Sequence, residues 1–187
     1  MLTTVRPQYS HTQQHSLLKQ WTMVLLLLSV CCALFGADVH AQQTLAAISS
    51  ETTRTQTEAN VAVIKSAYEA FSRGDVDAVM AAFAPDIVWY VPGRGPLSKT
   101  YRGHSEVLGF FDHFMGLSKG TFRLQVDDVL GTGDRVVVLC TTSAQRAGRT
   151  WTSPQVHVWT VKDGKAVAFR EYEGDQQAED EFWALQE

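Results

Sequence analysis

Residues 153–175 read SPQVHVWTVKDGKAVAFREYEGD, and the fold is decided here. Polar and apolar residues alternate on either side of Lys162-Asp163-Gly164. A period of two means a strand with two unlike faces, so the stretch reads as a β-hairpin. One face of the first run carries Gln155, His157, Trp159 and Val161, and the other carries Val156, Val158 and Thr160. In the second run, Val167, Phe169, Glu171 and Glu173 share a face. Two turns fit these residues. A two-residue Asp-Gly turn pairs Lys162 with Lys165 and sets Val156 and Val158 beside Glu171 and Phe169. A three-residue turn with Gly164 left-handed at a bulge puts His157 and Glu171 on one face.

Working outward, four strands follow one another: 121–130, 135–146, 150–162 and 165–173, joined at Gly131-Thr132-Gly133-Asp134, at Ala147-Gly148-Arg149 and at the hairpin turn. Short turns between consecutive strands read as an antiparallel meander. Upstream, Val61, Ile64, Tyr68 and Phe71 form one helical stripe, with Asn60 as a candidate cap. Gly74 ends that helix, Asp75 caps the next, and Pro85 stops it. Ile87–Val91 reads as a strand, 92–103 as a loop, and 105–117 as a third helix with Val107, Phe110, Phe111 and Phe114 on its apolar side. A closing helix over 176–185 starts at Asp175. Helices first and a sheet afterwards give an α+β fold.

The chain has 187 residues, with 16 Lys and Arg against 20 Asp and Glu. No basic run suggests a nucleic-acid partner. The apolar run WTMVLLLLSVCCALF, 21–35, is followed by GADVHA, with Val39 and Ala41 at the small-residue positions of a cleavage site. This is the layout of a secretory signal over 1–41, and the run is shorter than the ~20 residues that span a membrane. The expected product is exported, periplasmic or secreted, without stable membrane association; an uncleaved segment would be an anchor. Residues 42–58, rich in Thr, Ser, Ala and Gln, read as a flexible linker before a domain over 59–187. Of three cysteines only Cys140 lies in that domain, so packing must stabilise it.

His157 and Glu171 are the candidate catalytic residues. A carboxylate beside an imidazole fixes its tautomer and raises its pKa, which suits proton transfer near neutrality. A hydrogen-bonded core histidine is the plainer alternative. Trp89, Val91, Phe111, Phe114, Trp159 and Phe169 are the candidates to line an apolar pocket, with plain core again the alternative for each. His104 and His113 lack metal-ligand spacing. Gly93-Arg94-Gly95 lacks a phosphate-cradling pattern, and no serine sits in a nucleophile elbow. No cofactor or metal is expected.

The pieces AYEAFSRGDVDAVMAAFAPDIVWYVPG, YRGHSEVLGFF, GTFRLQVDDVL, HVWTVKDGK and FREYEGD resemble, in this order and spacing, the SnoaL-like branch of the NTF2-like superfamily, the fold of steroid delta-isomerases and polyketide cyclases. The resemblance implies a cone-shaped barrel: a curved mixed or antiparallel sheet wrapped round three helices, with an internal cavity faced by Trp89, His157 and Glu171. It favours the three-residue turn. It also implies a homodimer through the outer sheet face, in keeping with Val156 and Val158 there. The isomerase's base position falls on Val91, its oxyanion tyrosine on Ala67, and its second acid on His157. Val91 cannot take a proton, so the His157 and Glu171 pair is more like the arrangement in the cyclases. The expectation is a cofactor-independent lyase or isomerase acting on a small apolar or polycyclic molecule. The alternatives are a non-catalytic binding module and, more weakly, a hydrolase that activates water with a cavity carboxylate.

Overall fold

The computed structural model describes residues 11–186, with side chains from residue 42 onward. The chain divides into two units, Met1–Glu51 and Thr52–Glu187. The helix α1 is assigned over His11–Ser72. The signal reading therefore falls partly outside the described residues and otherwise on helical backbone alone. Among the described residues no helix is long and apolar enough to cross a membrane.

Residues 42–58, read as a flexible linker, are helical instead. The helix accommodates small polar side chains that turn back on the preceding turn: Ser50 donates to the Ala47 carbonyl and Thr57 to that of Thr53, both at 2.8 Å. In the second unit this helix is clamped to the sheet. Asn60 caps nothing; it is buried and donates to the Gly133 carbonyl at 2.9 Å. Gly131 has no side chain because a Cβ there would run into Thr57 and Val61.

After α1 come α2 (Val76–Ala81), β1 (Phe83–Val91), β2 (Lys99–Arg102), α3 (Gly103–Ser118), β3 (Arg123–Thr132), β4 (Arg135–Arg146), β5 (Arg149–Lys162), β6 (Lys165–Glu173) and α4 (Gln176–Trp183). Asp75 and Asp175 cap α2 and α4, accepting the amide hydrogens of Ala78 and Ala178 at 3.0 Å. Two elements differ from the sequence expectation. β1 begins at Phe83 rather than Ile87, with Pro85 sitting where the pairing to β6 shifts register, one of the few places a strand accepts proline. β2 lies inside the segment read as loop; its four residues pair antiparallel with β1.

The strands form one curved mixed sheet in the order β2-β1-β6-β5-β4-β3, with β1 and β6 parallel and every other pair antiparallel. The inner face carries Val136, Val138 and Cys140 of β4, Trp159 and Val161 of β5, and Phe169 of β6, all buried. The helices cover this face, which gives the cone-like α+β fold.

The hairpin turn combines the two expected geometries. Lys162 pairs with Lys165, and Asp163 and Gly164 both have positive φ, 50° and 70°, so the turn has two residues, not three. The register then shifts: Val161 faces Ala166 while Thr160 faces Ala168. Val167 is the extra residue of a β-bulge. The bulge does what the longer turn was expected to do and sets His157 directly across from Glu171.

Candidate active site

Between the inner sheet face and the helices lies a cavity with about 740 Å³ of empty space, its mouth included. All eight residues expected at the site line it: His157, Glu171, Trp89, Val91, Phe111, Phe114, Trp159 and Phe169. Rings dominate the wall. Trp89 stacks on Phe169 with centroids 3.8 Å apart and meets Trp159 edge-on at 5.5 Å, favourable geometries for aromatic pairs.

His157 is held on both sides. Its Nδ1 lies 2.6 Å from the Tyr68 hydroxyl and its Nε2 3.1 Å from Gln155 Oε1. Gln155 in turn gives its amide N–H to Glu173 at 2.5 Å. That bond leaves the Gln155 carbonyl facing the imidazole. His157 Nε2 therefore carries the proton, and Nδ1 accepts the hydroxyl hydrogen of Tyr68. The Tyr68 oxygen accepts from Trp159 Nε1 at 3.0 Å. The bonds run in one direction, from Trp159 through Tyr68, His157 and Gln155 to Glu173.

This corrects the expected histidine–carboxylate partnership. Glu171 sits across from His157, yet the imidazole's hydrogen bonds go to Tyr68 and Gln155. No carboxylate raises its pKa; burial lowers it to about 3. His157 is neutral at physiological pH, with both nitrogens in use.

Glu171 is different. It is 9% exposed, and its Oε1 is buried without a hydrogen-bond partner. Burial, then the charges of Glu179 and Glu173 and a hydrogen bond with Glu179, push its carboxyl well above the usual carboxylate range. Glu179, on α4, is also pushed up, to about 7, by burial first and by Glu173 next, while hydrogen bonds from Gln176 and Trp183 pull the other way. The carboxylate oxygens of Glu171, Glu173 and Glu179 lie within 4.8 Å of one another. Among the described residues this is the group whose spacing could hold a metal ion. His104, by contrast, lies 3.3 Å from the Phe83 carbonyl, and His113 is exposed.

Two more polar atoms in the cavity wall lack partners, the indole nitrogens of Trp89 and Trp151. Buried polar groups are nearly always bonded, so each of these atoms needs a partner, whether water or ligand.

Sequence reasoning missed Tyr68, Gln155, Glu173 and Glu179 as a connected set. Gln155 and Glu173 lie two residues from His157 and Glu171 on the same faces, so strand periodicity alone placed them nearby. Tyr68 is on the helical stripe already recognised. Glu179 had no such signal, since only the docking of α4 brings it in.

A curved mixed sheet closed by helices over a ring-lined cavity defines a cone-shaped α+β cavity protein. The SnoaL-like domain model matches residues 64–169, and the chain belongs to that family, within the NTF2-like fold. An NTF2-like protein of unknown function from Burkholderia pseudomallei is 34% identical, over 68% of this chain and 98% of that one, with a TM-score of 0.62. TerC, co-crystallised with polyporic acid, is 30% identical over 68% of this chain and 99% of its own, with a TM-score of 0.61. An uncharacterised Mycobacterium tuberculosis protein is 29% identical over 128 residues, 68% of this chain and 98% of that protein.

Proposed function

We propose that the protein is a cofactor-independent lyase or isomerase that does acid–base chemistry on a small, ring-bearing, largely apolar molecule. The observation that carries this reading is the unpartnered, buried oxygen of Glu171 in a cavity walled by aromatic rings. A carboxyl with a raised pKa and one free oxygen can give or take a proton near neutral pH. The rings of Trp89, Phe111, Trp159 and Phe169 would hold the flat, apolar part of the ligand. The indole N–H groups of Trp89 and Trp151 would receive an acceptor oxygen and steady charge that develops on it. His157 has a supporting role: with Tyr68 and Gln155 it fixes the polar end of the cavity. The co-crystallisation of TerC with polyporic acid supports trying that compound first.

The outer sheet face leaves Leu130, Leu139 and Tyr172 exposed, which supports a homodimer through that face. The apolar run at 21–35 supports export.

The test uses tryptophan fluorescence, because Trp89, Trp151, Trp159 and Trp183 all line the cavity. Polyporic acid and simpler hydroxylated aromatic ketones are titrated into the protein, and each mixture is then analysed for product. Saturable quenching is expected, with conversion that Glu171→Gln abolishes while binding survives. Quenching without conversion would make the protein a carrier. Conversion unchanged in Glu171→Gln would remove Glu171 from the chemistry.

A further inference from the structure

Glu179 sits one turn into α4, and the docking of that helix carries its carboxylate into the cavity beside Glu171. Three acids converge there, and their donors are unequally shared. Glu173 accepts from Ser153, from Gln155 at 2.5 Å and from the Gly174 amide at 2.9 Å. Glu179 accepts from Gln176 at 2.9 Å. Glu171 Oε1 has nothing.

Among the described residues no Lys or Arg forms an ion pair with either acid. Tyr68 of α1, Cys140 of β4 and His157 of β5 face Glu171, and Glu173 and Asp180 add negative charge. Arg146 of β4 packs against α4, but its guanidinium is turned to the carbonyls of Phe182, Trp183 and Leu185. Two buried carboxylates this close, with no cation between them, do not both ionise at neutral pH; one keeps a proton.

We propose that Glu171 and Glu179 share one proton as a carboxyl–carboxylate pair, with Glu171 offering it to a ligand oxygen and Glu179 acting as the positioning residue that holds the proton in reserve. A second observation points to the ligand. Trp89 and Trp151 belong to the same cavity wall, and their indole N–H groups are buried without partners. They call for an acceptor oxygen, whereas a metal ion would repel them. The ligand class is therefore a ring system carrying a neutral carbonyl oxygen next to a group that exchanges a proton. The directions of the two pKa shifts agree, since both carboxyls are raised. The proposal rests on the reading of the cavity as an acid–base site and extends it to a second residue.

The test is a carboxyl-¹³C NMR titration of the full chain labelled at glutamate, from pH 4 to 9. Two signals are expected to titrate well above the ordinary carboxylate range, each in two steps, as coupled groups do. Glu179→Gln should leave Glu171 with a single step at lower pH, and Glu171→Gln should do the same to Glu179. The two variants check each other if one folds poorly. A Glu171 signal that titrates identically with and without Glu179 overturns the pair, as does titration of both in the ordinary range. Broadening of both signals at neutral pH by micromolar Mn²⁺ would also overturn it, in favour of a cation site. Failure of the ligand reading shows separately, as absent fluorescence quenching in a protein whose two glutamates still titrate together.

Discussion

At the scale of single residues, His157 and Glu171 exchange the importance that their sequence positions suggest. Both were legible as cavity residues, because period two put them among apolar neighbours on inward faces. Their division of labour was not, because it depends on Tyr68, which lies 89 positions from His157 in sequence and 2.6 Å away in space. His157→Ala orphans the Tyr68 hydroxyl and the Gln155 carbonyl, and an unsatisfied buried polar group costs about 1–3 kcal/mol. The expected result is a loss of that size for each group in urea unfolding; an unchanged midpoint would mean the histidine is not structural. Tyr68→Phe removes the bond to His157 and the one from Trp159 Nε1 with little change of shape, and a loss of about 1–3 kcal/mol is expected for each buried group left unpaired. Glu171→Gln keeps the shape and removes a group that must hold a proton to stay buried at neutral pH, so stability should hold or rise while conversion stops.

At the scale of elements, the hairpin and α4 teach different lessons. The hairpin's alternation placed β5 and β6 to within a residue. It could not choose the turn, because Asp-Gly suits both, and the answer was a two-residue turn followed by a bulge at Val167. A bulge among alanines and valines leaves no mark in composition. β2 was missed for a related reason: four residues after a Gly- and Pro-rich segment are too few to show a period. The cap of α4 was legible in Asp175, but the consequence of docking was not. Asp180 on that helix accepts from the amides of Arg94 and Gly95, at 2.8 and 3.1 Å, which ties the helix to the loop between β1 and β2. Asp175→Ala removes the cap, and a loss of about 0.5–2 kcal/mol is expected, read by thermal unfolding. Fraying should also weaken ligand quenching, since α4 carries Glu179 and Trp183 into the wall. Full stability with full binding in this variant would show that the cap does not hold the helix in place.

At the scale of the whole molecule, the buried acids and the buried histidine pull stability in opposite directions with pH. Glu179 titrates near 7 when folded, against an ordinary value of 4.5, and Glu171 is raised as well. The folded chain holds these protons longer, so stability falls as pH rises from 4.5 to about 7. His157 titrates near 3 when folded against 6.5 ordinarily. The unfolded chain takes that proton first, so stability falls as pH drops from 6.5 to about 3. Thermal unfolding midpoints should peak in mildly acidic buffer. Glu179→Gln should flatten the fall toward neutral pH and leave the acid side alone; a profile parallel to the unchanged protein would contradict the assignment. The fold itself was readable because its signals are long and repeated: a helical stripe, three long alternating strands and a cap at each short helix. The cavity was readable only as a list of wall residues.

The most direct measurement is a crystal structure with a bound hydroxylated aromatic ketone or polyporic acid. The expected structure has a ligand oxygen within hydrogen-bond distance of Glu171 Oε1, an acceptor oxygen on the indole N–H of Trp89 or Trp151, and His157 still bonded to Tyr68 and Gln155. A ligand bonded to His157 with the Tyr68 contact broken, and Glu171 left untouched, would contradict it.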